Sequence, residues 1–159
     1  MAISRHLSAS LEDYLETILL LSPENDGARV KDISASLKVN YSSVTGALQS
    51  LAARKLVNYS PYTRVTLTKS GAKIARDVLS RHVSLKEFFI KVLSIDEQNA
   101  DEAACRMEHC ISQEVLDRFV QFAEYIERCP KGIADWDEKK GFSCRHKKDT
   151  LVCSKCRLE

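Results

Sequence analysis

Apolar side chains recur every three or four positions along most of this chain and shift to strict alternation in one short stretch. Leu11, Tyr14, Leu15, Ile18 and Leu19 make a helical stripe, and Ser10-Leu-Glu-Asp13 has the form of a capping box. A first helix is therefore expected from Ser10, as N-cap, to about Leu21. Ser22-Pro-Glu-Asn-Asp-Gly27 reads as a turn. Ile33 and Leu37 mark a short helix over 30–37, Lys38-Val-Asn40 interrupts it, and Asn40 is placed to cap a helix over 42–55. That helix carries Val44, Ala47, Leu48, Leu51 and Ala52 on one side. The period then drops to two: Leu56-Val-Asn-Tyr59 and Arg64-Val-Thr-Leu67 alternate around Ser60-Pro-Tyr-Thr63, which predicts a hairpin. Ile74, Val78, Leu85, Phe88, Phe89 and Val92 predict a long helix over 72–93, followed by a turn at 94–99. The run from Asp101 to Ser112 lacks Pro and Gly and reads as helical. From Ser112 to Arg128, Val115, Leu116, Phe119, Val120, Phe122, Ala123 and Ile126 make a face wide enough for a partner helix from a second copy of the chain.

Three helices and a hairpin in that order predict a winged helix-turn-helix, whose second paired helix enters the DNA major groove while the wing rests against the backbone. Asn40, Tyr41, Ser42, Ser43, Thr45, Gly46 and Gln49, with Arg64 of the wing, are the candidate DNA contacts, being residue types that bond phosphates and base edges. Gly46 stands out, because a helix-interior Gly costs about 1 kcal/mol relative to Ala. It serves either a close approach to DNA or a packing need. The expected fold class is mainly α: a winged helix over 1–72, an all-helical domain over 73–138 and a basic, Cys-containing tail over 139–159.

Charge sharpens this picture. From Ala28 to Arg76, nine Lys or Arg face one acid, Asp32, a balance of +8; from Ser94 to Glu127, nine acids face Arg106 and Arg118, a balance of −7. A basic half joined to an acidic half fits a polyanion-binding module attached to something else. The longest apolar run, Ile18 to Leu21, is far too short to span a membrane, and the first residues lack the apolar core of a signal peptide. A cytoplasmic protein is expected, in which six cysteines point to metal binding or redox chemistry rather than to disulfides.

The chemistry concentrates in Cys105-Arg-Met-Glu-His109. On a helix, positions i, i+3 and i+4 share a face, so Cys105, Glu108 and His109 would project a thiol, a carboxylate and an imidazole together, three good ligands for a divalent transition metal. The plainer reading is a half-buried Cys beside a surface Glu-His pair. Asp13 and Glu16 share another face of the first helix, although acids in a first turn also serve the helix dipole. His82 lies in the middle of the long helix. In the tail, Cys144, His146, Cys153 and Cys156 make a potential tetrahedral zinc set, with Cys129 as a spare, and a disordered reduced tail is the alternative.

With Leu11-Glu-Asp-Tyr-Leu-Glu-Thr-Ile18, Ser42-Ser-Val-Thr45, Leu67-Thr68 with Gly71, Arg81-His82 and Cys105-Arg-Met-Glu-His109 in this order, the chain over about 8–128 resembles the diphtheria-toxin-repressor family of metal-dependent regulators. The resemblance implies a winged helix joined to a helical dimerisation domain, with metal bound between the two. It implies Cys105, Glu108 and His109 as iron-branch ligands, and Asp13, Glu16, His82, Glu108 and His109 as manganese-branch ligands, so the set is a hybrid. A second iron-branch site would need a carboxylate at Lys86 and a His at Asp101, and of that set only His82 is present. The expectation is a homodimeric repressor of metal-uptake genes, activated by Fe2+ or alternatively Mn2+, which binds a double-stranded DNA operator and is neither an enzyme nor a partner of membranes or small-molecule substrates. Two other classes stay open: a thiol-based redox regulator acting through Cys105, Cys110 or the tail, and a metallohydrolase.

Overall fold

The computed structural model describes residues 7–22, 26–128, 134–137 and 141–144. They fall into two compact units that divide between Ser80 and Arg81, inside a helix. The boundary expected at 72/73 sits earlier than this. The helix concerned, Lys69–Lys91, gives Ala75 to the core of the first unit and Leu85, Phe88 and Phe89 to that of the second.

The first unit contains α1 (Ala9–Leu21), α2 (Val30–Leu37), α3 (Tyr41–Ala53), β1 (Val57–Asn58), β2 (Thr66–Leu67) and the start of α4 (Lys69–Lys91). Leu15, Ile18, Ile33, Val44, Leu48, Leu51 and Val65 are fully buried together, so the stripes read from periodicity are the faces that pack. The expected N-cap at Ser10 is not observed: Ser10 is already helical, and Ser8 takes the cap position with its backbone carbonyl, accepting from Leu11 N and Glu12 N at 2.9 and 3.1 Å. α2 ends on Lys38 in the left-handed region (φ 54°), which lets Val39 N–H reach back to Ser34 O. Asn40 caps α3 as expected, its side-chain oxygen accepting from Ser43 N.

β1 and β2 pair antiparallel, Val57 opposite Leu67, and Ala28 adds a reciprocal pair of 2.8 Å bonds to Val65 at the base of this wing. Thr68 then turns the chain into α4: its hydroxyl accepts from Gly71 N at 3.1 Å and approaches the carbonyls of Lys55 and Leu56. Gly71 is required here, because a Cβ at that position would overlap the Leu56 carbonyl oxygen.

The second unit contains the rest of α4, α5 (Glu97–Met107), α6 (Gln113–Arg128) and an antiparallel hairpin of β3 (Ala134–Asp137) and β4 (Gly141–Cys144), with Trp136 opposite Phe142. Leu85, Phe88, Phe89, Ala100, Ala104 and Leu116 form its core, and Phe88 stacks on Phe119 at 4.6 Å. Three sequence expectations change. The turn placed at 94–99 is shorter, since Asp96 caps α5 by accepting from Asn99 N at 3.0 Å. The helix expected to reach Ser112 stops at Met107, where Cys110 N and Ile111 N both turn back to Met107 O. The region expected to be all helical also ends in the β3–β4 hairpin, which crosses the boundary set at 138/139. Cys144 closes β4 opposite Ala134. Cys129, His146, Cys153 and Cys156, the rest of the suggested zinc set and its spare, lie outside the described residues. Val115, Val120, Phe122 and Tyr125 of α6 are exposed. Among the described residues no helix is long and apolar enough to cross a membrane.

Candidate DNA-reading face and metal centre

In the first unit, α3 and the wing together present the predicted DNA contacts. Ser42, Gly46 and Gln49 are exposed along α3, Thr45 is half-buried beside them, and Tyr41 is 58% exposed at its start. A groove lined by Thr45, Gln49, Ala52, Tyr59, Pro61 and Tyr62 runs between the helix and the wing. Several candidates also have local work to do. Asn40 Oδ1 accepts from Ser43 N and from the hydroxyls of Ser42 and Ser43 at 2.8–2.9 Å, and the Thr45 hydroxyl donates to Tyr41 O. Arg64 pairs with Asp26 at 2.8 Å and donates to Gly27 O at 3.1 Å, fastening the wing to the segment before α2. That pair is solvent-exposed and therefore weak, so a phosphate can compete for the guanidinium. A Cβ at Gly46 would meet nothing within 4 Å, which removes the packing explanation for this residue. Sequence reading missed Tyr62. It lies fully exposed at the wing tip with φ 64°, a conformation that bulky residues avoid.

In the second unit, the side chain of Glu108 is wholly buried just past the end of α5. Its Oε2 lies 2.7 Å from His82 Nδ1 and its Oε1 3.2 Å from His109 Nε2. Within the second unit, His82, Glu108 and His109 of the predicted ligands thus meet as a buried carboxylate with an imidazole on either side. Cys105 is exposed on α5, one turn before Glu108, which keeps the helical conformation and bonds back to Ala104 O, while His109 lies in the turn that follows. Asp13 and Glu16 are partly buried on α1 of the first unit.

A second layer surrounds His82. Its Nε2 lies 3.3 Å from Asp101 Oδ1, and Lys86 donates to that same oxygen at 2.8 Å while standing 3.2 Å from Glu97 Oε1. Lys86, hydrogen-bonded to both acids, is held above the usual lysine range, and Asp101 is held below the usual carboxylate range, first of all by Lys86. The sequence carried one signal for this layer, the spacing of His82 and Lys86 at i and i+4. The resemblance carried another, grouping His82 with the positions of Lys86 and Asp101, and neither signal indicated the contact with Glu97.

Two sequence profiles match the chain. "Iron dependent repressor, N-terminal DNA binding domain" covers residues 6–65, and "Iron dependent repressor, metal binding and dimerisation domain" covers 68–137. The chain is 38% identical over 119 residues to an uncharacterised HTH-type transcriptional regulator of Methanocaldococcus jannaschii, covering 74% of this chain and 95% of that protein. Among solved structures it is similar to IdeR of T. acidophilum, at 29% identity and a TM-score of 0.64 over 77% of this chain and 57% of that one. It is also similar to a manganese-dependent transcriptional repressor in complex with manganese, at 26% identity and a TM-score of 0.64 over 72% and 53%. With both halves matched in order, a winged helix in the first unit and a buried carboxylate between imidazoles in the second, the chain belongs to the diphtheria-toxin-repressor family of metal-dependent transcriptional regulators and is a regulator rather than an enzyme.

Proposed function

We propose that the protein represses metal-uptake genes, its operator affinity raised by a divalent transition metal, with ferrous iron preferred to manganese. The observation that carries this reading is Glu108. A carboxylate with no solvent exposure is costly unless neutralised, and two imidazoles beside it make a donor set suited to such a cation. The family resemblance adds Asp13 and Glu16 of α1 to the donor set of His82, Cys105, Glu108 and His109. A cation bound there would neutralise the carboxylates and favour one arrangement of the two units. In a homodimer, that arrangement fixes the spacing of two α3 helices, which must match half-sites about one helical turn apart or a multiple of it. The exposed apolar residues of α6 are the face for the second copy. Cys105 supplies the preference for iron, since thiolates favour softer metals, whereas Asp13 and Glu16 pull toward manganese. Cys144, His146, Cys153 and Cys156 would add a zinc site in the tail. Action on an operator places the protein in the cytoplasm.

Anaerobic fluorescence anisotropy on labelled duplex from the gene's own upstream region tests this, with ferrous iron and manganese titrated in parallel at fixed salt. A strong rise in affinity with iron and a weak one with manganese is the expected result. A preference for manganese refutes the role given to Cys105. A second reading, thiol-based redox regulation, is favoured by the exposure of both Cys105 and Cys110. A cysteine-free variant whose DNA affinity still rises with metal refutes it.

A further inference from the structure

His82 meets an acid on each side of its ring. Nδ1 faces Glu108 at 2.7 Å and Nε2 faces Asp101 at 3.3 Å. We propose that Asp101, held in place by Lys86, is a positioning residue of the metal centre: it accepts the Nε2–H of His82 and thereby presents Nδ1, the nitrogen beside Glu108, to the cation. The inference rests on the reading of His82 and Glu108 as ligands given above.

An imidazole that binds a cation through one nitrogen keeps its proton on the other. A carboxylate acceptor for that proton fixes both the tautomer and the orientation of the ring. The helix registers supply this arrangement twice over. His82 and Lys86 stand one turn apart on α4, and Glu97 and Asp101 one turn apart on α5, so two side chains of each helix face two of the other. Lys86 reaches both acids, at 2.8 Å to Asp101 and 3.2 Å to Glu97. This double attachment keeps Asp101 turned toward the His82 ring. It also occupies the Asp101 oxygen with a tethered positive charge, which opposes recruitment of Asp101 as a ligand by a second cation through like-charge repulsion. Asp101 is 52% exposed, so this role does not depend on core packing.

The test uses the full chain, titrated with Mn2+ and read by the EPR signal of the free aquo ion. Asp101→Ala is expected to bind Mn2+ about 10–100-fold more weakly than wild type, at the same stoichiometry and melting temperature. Asp101→Asn keeps an oxygen acceptor and is expected to stay within about threefold of wild type, well inside the loss typical of a removed outer-shell partner. In protein labelled with 15N-histidine and loaded with 113Cd, the metal coupling of His82 is expected at Nδ1 in wild type and at both ring nitrogens in Asp101→Ala. Undiminished affinity of Asp101→Ala, equal weakness of Asp101→Asn, or coupling at Nε2 in wild type would each overturn the proposal while leaving the metal-dependent reading intact. Wild type that takes up no metal overturns both.

Discussion

Adding one methyl group to two helical glycines of the first unit should move stability in opposite directions. Gly46, on the exposed side of α3, has nothing within 4 Å of an added Cβ, so Gly46→Ala removes only the entropic cost of glycine in a helix, a gain of about 1 kcal/mol. With urea m-values of about 1–3 kcal/mol/M, the midpoint should rise by about 0.5 M. Gly71 in the first turn of α4 is the reverse case. An added Cβ would overlap the Leu56 carbonyl oxygen and stand 2.9 Å from its carbon. Both partners are backbone, tied down by Thr68 N–H donating to Leu56 O at 3.0 Å, so the strand or the helix must shift, at a cost of about 3 kcal/mol. Urea unfolding followed by circular dichroism reads both variants, and anisotropy on operator DNA reads the second consequence. Ser42, Thr45, Gly46 and Gln49 share one side of α3. If that side approaches DNA closely, the methyl that stabilises the fold should weaken binding about tenfold, the equivalent of about 1.4 kcal/mol. A Gly46→Ala protein that is less stable, or equally tight on DNA, would refute the reasoning about α3, and a Gly71→Ala protein as stable as wild type would refute the close contact.

Tyr62→Gly should relieve the left-handed backbone at the wing tip, raising stability by about 1 kcal/mol, and should weaken operator binding; unchanged anisotropy would show that the wing tip makes no contact. Asn40→Ala removes the oxygen that accepts from Ser43 N and from two hydroxyls, and should lower the unfolding free energy by about 1–2 kcal/mol in urea titrations, with Asn40→Asp restoring most of it. The Asn99 amide holds the Asp96 carboxyl below its usual range, so the cap of α5 contributes stability above about pH 4 and loses it as pH falls through the depressed folded value. Thermal melts from pH 6 to pH 3 should therefore fall more steeply for wild type than for Asp96→Asn, and parallel slopes would contradict the assignment.

Local repetition made most of the first unit legible in advance. Whether Leu15 and Ile18 share a face, or Val44, Leu48 and Leu51, depends only on spacings of three and four, and all of these residues are buried as their periodicity implied. The alternation around Ser60-Pro-Tyr-Thr63 likewise announced the wing. Helix ends were less legible, because the choice between Ser8 and Ser10, or between Met107 and Ser112, is made by one or two backbone bonds worth about 1 kcal/mol each. That small difference makes Glu108 the C-cap of α5 and places His109 in the turn after it.

The sequence by itself determined the order of elements as far as Arg128, the opposite charges of the two halves and the residue types of the ligand set, since each of these is a property of neighbours along the chain. Only the tertiary structure decided that Glu108 is wholly buried and that it meets His82, 26 positions away, while Asp101 meets the other side of the same ring. Contacts at such separations depend on how α4 and α5 pack side by side, and the period of a helix says which side is apolar without saying which residue of another helix will lie against it.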